Sequence, residues 1–487
     1  MVVVNPNLFA YFMLVVWPLV AMVLYSRLPF LRATVWTVLG AYLLLPVHAE
    51  IKFSGVPTFD KTSIPSIAVG VCCVLIARKR PKFFFGLGIA EVLLLVLVSS
   101  PFATALLNPD PVDTGTYLLS GSGPYDALSS VVAQLLLIFP FFIARQYFRS
   151  LEDSIEIFRI MVVAGLAYSL LMLFEVKMSP QLHTWIYGYF PHDFAQQMRE
   201  GGFRPVVFLG HGLLVAFFCM TTLVAAAALW RAKIRVGRLP AGGGIAGYLS
   251  VILLLCKTTS ATVYALVLVP LVRWATPRTQ MRVAVVLVAL SLTYPVVRAA
   301  DMFPTSYILK AAYAVNTDRG KSLETRFTQE GQLLQKAWRR KWFGWGRFGR
   351  SRIYYKGRDI TISDGYWIIT FGEFGIFGFI ATFGLLTLTV LRAAGALKLT
   401  QNRRERELLG ALSLIVAVSL VNQLPNSSMS PWLWLLAGSL LGRAEQIYAT
   451  ARKRAPAANV DLSPVGVPER LSPASAPAFR QDETLIR

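Results

Sequence analysis

Uncharged apolar runs constrain this chain more than any other feature. Residues 127–144 and 206–230 carry no Asp, Glu, Lys or Arg, and similar stretches recur along the sequence. About 20 such residues cross a hydrocarbon layer as a helix, because every interior backbone N–H and C=O is then satisfied within its own segment. Thirteen segments fit this pattern: 8–25, 33–47, 64–77, 83–99, 126–144, 158–174, 205–230, 241–256, 261–275, 283–299, 366–391, 408–424 and 431–448. The second, eighth and ninth are short, so twelve spans is the alternative count. Only 15% of the 487 residues are charged, against about 25% in soluble domains. The fold class read from this is all-α: a polytopic integral membrane protein with 12 or 13 transmembrane helices embedded in a phospholipid bilayer. A soluble enzyme, a secreted disulfide scaffold and a fibrous chain are excluded.

A net charge of +22 invites nucleic acid, but the positions of the charges decide otherwise. They gather between apolar runs, where membrane topology puts them, with no zinc-finger spacing and no basic amphipathic repeat. No nucleic-acid partner is expected. Cys72, Cys73, Cys219 and Cys256 lie inside apolar runs without CxxC spacing, which indicates neither disulfides nor a metal site. The first run has no basic region before it and no small-residue cleavage site, so it reads as a retained helix.

Clusters such as Arg78-Lys79-Arg80, Arg231/Lys233/Arg235 and Arg403/Arg404/Arg406 fall on one side. The connections 48–63, 100–125, 257–260 and 425–430 on the other side hold only Lys52, Lys61 and Lys257. The positive-inside rule then places the N-terminus outside and the C-terminus in the cytoplasm. The chain divides into helices 1–10 over 1–299, a large external loop over 300–363, helices 11–13 over 364–454, and a Pro/Ala/Ser-rich tail over 455–487 read as cytoplasmic disorder. The loop carries thirteen basic residues and five acids. That excess points to an anionic ligand, and Leu323, Phe327, Leu334 and Trp338 recur at the spacing of an amphipathic helix over 322–341.

Four places hold residues able to do chemistry. Arg204 stands at the mouth of the seventh segment, and helical spacing would put His211 on the same face, about 10 Å deeper. The alternative is that Arg204 snorkels to headgroups while His211 bonds a neighbouring helix. The turn at Lys257-Thr258-Thr259-Ser260 joins two segments too short to span, which places Lys257 below the outer surface, where a lysine is costly unless paired; outward snorkelling is the other reading. On the loop helix Arg326 and Glu330 have the i,i+4 spacing of a surface ion pair, and the following 342–352 mixes Trp, Gly and Arg. Its arginines, Arg347 among them, offer forked donors to phosphate oxygens, and its indoles, Trp345 among them, offer flat faces to sugars or to a membrane interface. Finally, Ser363-Asp364-Gly365-Tyr366-Trp367 opens the eleventh segment; Asp364 could serve as a base facing the loop, but its residue type alone favours a helix cap. Deeper in that helix, Gly372, Gly375 and Gly378 read as a small face for close packing. Glu373 and, in the fourth segment, Glu91 read as buried structural acids.

Taken in order, these motifs resemble the O-antigen ligase and O-antigen polymerase superfamily. The resemblance rests on Arg204 with Gly210-His211, on Leu323-Glu324-Thr325-Arg326-Phe327 with Glu330, on Trp342-Phe343-Gly344-Trp345-Gly346, and on Asp364-Gly365-Tyr366-Trp367 through Gly378. It covers about 200–380; the first 190 residues match only in being serial helices. It implies a GT-C-like glycosyltransferase without metal or other cofactor. Such an enzyme moves a glycan from undecaprenyl pyrophosphate to a hydroxyl, with inversion, at the periplasmic face of the bacterial inner membrane. In that reading Arg204, Lys257, Arg326 and Arg347 hold the pyrophosphate, Asp364 is the base with His211 as its alternative, and Glu330 joins the catalytic set. Trp345 and Tyr366 stack on sugar, and a chain-length regulator or a flippase is a candidate partner protein. Ligase-type members open the helix with His-Asn where this chain has Ser363-Asp364, and carry an arginine near the turn where it has Lys257 and Ser260. The expected activity is therefore polymerisation of lipid-linked repeat units into O-antigen or exopolysaccharide, with ligation to lipid A-core as the alternative. A transporter of the same glycans is the reading from another class, although no internal repeat supports it.

Overall fold

The computed structural model describes residues 5–454 except 54–57, 87, 200, 238–241, 316 and 363. The expectations for Ser363 and for the tail 455–487 therefore lie outside the described residues. The helices are α1 (Leu8–Arg27), α2 (Phe30–Leu44), α3 (Ser63–Leu75), α4 (Ile89–Leu106), α5 (Pro124–Tyr147), α6 (Leu151–Met178), α7 (Leu182–Tyr187), α8 (Gly212–Arg231), α9 (Gly243–Leu255), α10 (Thr259–Trp274), α11 (Pro277–Ala299), α12 (Thr305–Val315), α13 (Thr317–Trp338), α14 (Tyr366–Leu397), α15 (Arg403–Asn422) and α16 (Pro431–Arg454). Each of the thirteen predicted apolar segments forms one of them. Seven are long and apolar enough to cross a membrane: α1, α4, α5, α6, α8, α11 and α14. The chain is an all-α polytopic membrane protein.

Packing follows from small residues and from paired charge. α5 lies along α16, where a Cβ on Gly438 or Gly442 would collide with the α5 carbonyls of Phe141 and Arg145; glycine there lets two backbones approach, the usual device between membrane helices. Phe141 meets Trp434 edge-on at 5.9 Å across the same seam. At one end of the bundle, cations that sequence reading assigned to connections find carboxylates. Arg145 bonds Glu91 at 2.7 Å and Glu445 at 2.6 Å, Arg231 bonds Glu407 at 3.1 Å, and Arg443 bonds Glu405. Glu91 is thus the structural acid it was expected to be. α6 begins earlier than its apolar core because Ser150 and Asp153 form a reciprocal capping box.

The opposite end carries the irregular structure, and two expectations fail there for backbone reasons. The seventh segment is not helical from 205. Residues 204–211 run as a non-helical strap and α8 starts at Gly212, so Arg204 and His211 are not two turns apart on one helix. The strap is held by side chains instead: Glu175 accepts the N–H groups of Val206 and Val207 at 2.7 Å each, Tyr168 accepts that of Phe208 at 3.1 Å, and Lys61 donates to the Phe208 carbonyl at 2.7 Å.

The second failure is α14, expected as one continuous helix. Gly375 has φ 67° and ψ −161°, which breaks it into 366–374 and 376–397. Seventeen helical residues would separate Tyr366 from Phe383 by about 25 Å, yet their rings lie 6.5 Å apart and nearly parallel; the first half folds back on the second. A break orphans backbone groups that lipid cannot satisfy. The 341–346 segment satisfies them: Trp345 N–H donates to the Gly372 carbonyl at 2.8 Å, Gly346 N–H to Glu373 at 2.9 Å, and Ile376 N–H to the Lys341 carbonyl at 2.7 Å. Gly344 and Gly375 permit this contact, since a Cβ on Gly344 would lie against the Glu373 backbone and one on Gly375 against the Trp342 carbonyl. Gly344 and Gly375 therefore form one docking joint between the loop and α14.

Candidate active site

The short hairpin that pairs Met198 with Phe203 and Arg199 with Gly202 leads into the strap and delivers Arg204 to the turn between α9 and α10. Arg204 is 4% exposed. Its Nη2 donates to Thr258 Oγ1 at 3.0 Å, while its Nε is buried with no hydrogen-bond partner among the described residues. Burial and the nearby Arg199 pull its pKa down to about 10, the mark of a cation held in place without a counter-charge. α9 has 13 residues and α10 has 16, about 20 and 24 Å at 1.5 Å per residue. Both are too short to span, as expected. Lys257 Nζ donates to the Arg199 carbonyl at 3.0 Å, which ties that turn to the hairpin. The structure thus brings Arg204 and Lys257 together.

His211 caps α8, its Nδ1 accepting the Leu213 N–H at 3.0 Å. That bond assigns the proton of the neutral ring to Nε2, which makes His211 a hydrogen-bond donor to the site rather than a base. Burial lowers its pKa to about 3, helped by the charges of His192, Arg204, Arg326 and Arg199. His192 meets the His211 ring edge-on at 4.6 Å, and its Nδ1 is buried without a partner among the described residues.

Arg326 and Glu330 do not pair with one another. Arg326 Nε lies 3.0 Å from Asp364 Oδ2, with both side chains more than a third exposed. Glu330 is turned into the framework. It accepts from Arg298 Nε at 2.7 Å, from the Tyr294 hydroxyl at 2.9 Å and from Trp367 Nε1 at 3.2 Å, which joins α13 to α11 and α14. The carboxylate expected in the catalytic set is thus committed to three fixed donors. Nor does Asp364 cap α14. Gly365 is the cap residue, with no side-chain bond, and Asp364 faces the cavity of about 180 Å³ that it shares with Arg326, Glu330, Ile368 and Pro425.

Arg347 stands apart from this group. It is 3.7 Å from Glu373, and both line a larger cavity of about 610 Å³ with Tyr366, Arg352, Gln134 and Asp60. Glu373, expected as a buried hydrogen-bonded acid, is a cavity wall instead. Trp345 is not an open platform: Arg340 sits 4.3 Å from its ring centroid, Lys336 sits at 5.1 Å, and its N–H donates to the Lys336 carbonyl at 2.8 Å. Arg350 is likewise consumed, bonding the carbonyls of Ser120, Asp110 and Trp345.

Sequence reasoning missed Arg199, whose carbonyl on the hairpin takes Lys257, and Arg298, which claims Glu330. Arg298 ends an apolar run and looks like an ordinary interfacial arginine. Arg199 lies in the segment 175–204, whose mixture of aromatics and charge was the available signal. Among the described residues no group of His, Cys, Asp and Glu has metal-binding geometry. Comparison of the chain with protein-family models and with curated proteins finds no match.

Proposed function

We propose that this protein is an integral-membrane glycosyltransferase that polymerises undecaprenyl-pyrophosphate-linked repeat units at the outer face of a bacterial inner membrane. One observation carries the reading. Arg326 Nε stands 3.0 Å from the carboxylate of Asp364 on the wall of one cavity, and Arg204, more than a hundred residues earlier in the chain, is buried with its Nε unpartnered among the described residues. A buried cation with an orphan Nε suits a diphosphate oxygen. An accessible Arg–Asp pair suits the point where that diphosphate meets an incoming hydroxyl.

In the reaction the acceptor hydroxyl attacks the anomeric carbon while the bond from that carbon to the pyrophosphate oxygen breaks. The electron pair leaves with pyrophosphate, the hydroxyl proton passes to Asp364, and the anomeric configuration inverts. Fixed guanidinium donors stabilise the charge growing on the leaving group, each worth a few kcal/mol in a partly dry site. Arg204 and Arg326 supply them, His211 Nε2–H adds a neutral donor, and Lys257 adds charge at the turn between α9 and α10. Arg347 and Tyr366 belong to the adjoining cavity, which has room for sugars on the acceptor side.

The test uses purified protein in lipid nanodiscs supplied only with lipid-linked repeat unit, its products resolved by length. A ladder that disappears in Asp364→Ala supports polymerisation. Transfer that occurs only when lipid A-core is added makes the protein a ligase. No transfer by folded protein under either condition sinks the glycosyltransferase reading and favours transport.

A further inference from the structure

At the end of the bundle opposite the candidate site lies a cavity of about 550 Å³ lined by Trp230, Arg231, Lys233, Arg235, Arg273, Trp274 and Arg403. Five cations face one space, and no acid lines it. Glu407, 3% exposed behind them, takes Arg231 at 3.1 Å and Arg403 at 3.0 Å. Among the described residues Lys233, Arg235 and Arg273 have no carboxylate partner. Arg273 is preset: its guanidinium lies 4.2 Å from the Trp230 ring centroid, and its Nε is buried with no hydrogen-bond partner among the described residues. Stacking fixes the plane of the guanidinium and leaves its N–H groups to an acceptor from outside.

Helix C-termini favour cations, and α8 and α10 both end here. That accounts for one arginine at each end, not for a walled concavity with three unneutralised cations and a buried orphan donor. A second observation comes from α10. Val263, Val267 and Trp274 are 49%, 56% and 70% exposed, at the i, i+4, i+11 spacing of one helix face. This apolar stripe ends at Trp274 on the cavity rim. A ligand that has a phosphate at one end and hydrocarbon at the other fits both features.

We infer that this cavity binds the phosphodiester headgroup of an anionic phospholipid, with an acyl chain lying along the exposed face of α10. Basic pockets between membrane helices on the positively charged face are suited to such headgroups. The site is separate from the proposed glycosyl transfer and does not depend on it.

Lys233 and Arg235 are exposed, so Lys233→Gln with Arg235→Gln removes two cations without disturbing the buried Arg231–Glu407 pair. Arg452→Gln with Lys453→Gln removes the same charge from the exposed end of α16 and is the control. Detergent-purified full-length protein is titrated with phosphatidylglycerol and with phosphatidylcholine, and bound lipid is counted by native mass spectrometry. Wild type and control are expected to retain phosphatidylglycerol at least about fivefold over phosphatidylcholine, and the site variant to lose that preference. Equal preference in all three proteins, or equal loss in control and site variant, overturns the proposal. So does stabilisation of wild type, but not of the site variant, by millimolar inorganic phosphate with no lipid preference, which would assign the pocket to a soluble phosphate.

Discussion

Arg326 Nε stands 3.0 Å from Asp364 Oδ2, joining the long basic segment to the helix that follows it. The two residues have different duties in the proposed reaction, and substitutions separate them. Asp364→Asn keeps the shape and removes the base, so turnover is expected to fall by about 10²–10⁴. Arg326→Lys keeps the charge and loses the bidentate fork, and is expected to lose at least about tenfold in kcat. Exchanging the pair, Arg326→Asp with Asp364→Arg, restores the ion pair without the chemistry. Full transfer activity in the exchanged protein would show that the pair is only a strut.

The fold was legible wherever hydrophobicity alone dictates structure. All thirteen helices could be read because lipid leaves a long apolar run only one way to satisfy its backbone. What could not be read was decided by partners distant in sequence. Residues 205–211 are as apolar as the helix they precede, and only Glu175, Tyr168 and Lys61 explain why they are not helical. The glycines at 372, 375 and 378 have the spacing of a packing face, and only the N–H groups of Trp345 and Gly346 reveal a break. The site followed the same rule. Arg204 and Arg326 were singled out by residue type and Asp364 by the resemblance, whereas the bond that holds Glu330 could not be read, because Arg298 lies outside its motif.

Whether Glu330 acts as a strut or in catalysis has a clean test. Glu330→Ala leaves Arg298, itself 8% exposed, without its counter-charge, and breaking such a pair costs about 3 kcal/mol. Glu330→Gln retains an acceptor for Trp367 and Tyr294 and is expected to lose less. Thermal unfolding in detergent should rank wild type, Gln and Ala in that order. The Gln variant should keep most of its transfer activity once folded; a folded Gln variant with no activity would return Glu330 to the catalytic set.

The break in α14 predicts an asymmetry between glycines. Gly375→Ala places a Cβ against the Trp342 carbonyl at φ 67° and should abolish monodisperse protein, since both sterics and backbone oppose it. Gly331→Ala, in α13 with open space around its Cβ, should be neutral or stabilise by a few tenths of a kcal/mol. Size-exclusion profiles of the two proteins distinguish a joint from a tolerant helix.

His211 makes stability acid-sensitive. Its folded pKa, lowered to about 3, lies below the ordinary value near 6.5. Above about pH 6.5 the ring is neutral folded or unfolded and contributes nothing to the pH dependence. As pH falls from 6.5 towards 3 the unfolded chain takes up a proton that the folded site refuses, so stability declines across that window. The melting temperature of His211→Gln should fall less than that of wild type between pH 6.5 and 4.5. Parallel curves would mean that the ring is solvated and its partners do not act on it.

Sidedness can be tested with the native cysteines left in place, because Cys72, Cys73, Cys219 and Cys256 are all buried. Tyr355, 62% exposed in the short hairpin before α14, and Lys453, exposed at the end of α16, lie at opposite ends of the bundle. The positive-inside rule predicts that the Lys453 end lies in the cytoplasm. In sealed right-side-out vesicles a membrane-impermeant maleimide should label Tyr355→Cys and spare Lys453→Cys, with the pattern reversed in inverted vesicles. The same result would put Arg326 and Asp364 on the outer side, as the proposed glycosyl transfer requires. Labelling of Lys453→Cys alone from outside would invert the topology and remove the site from that side of the membrane.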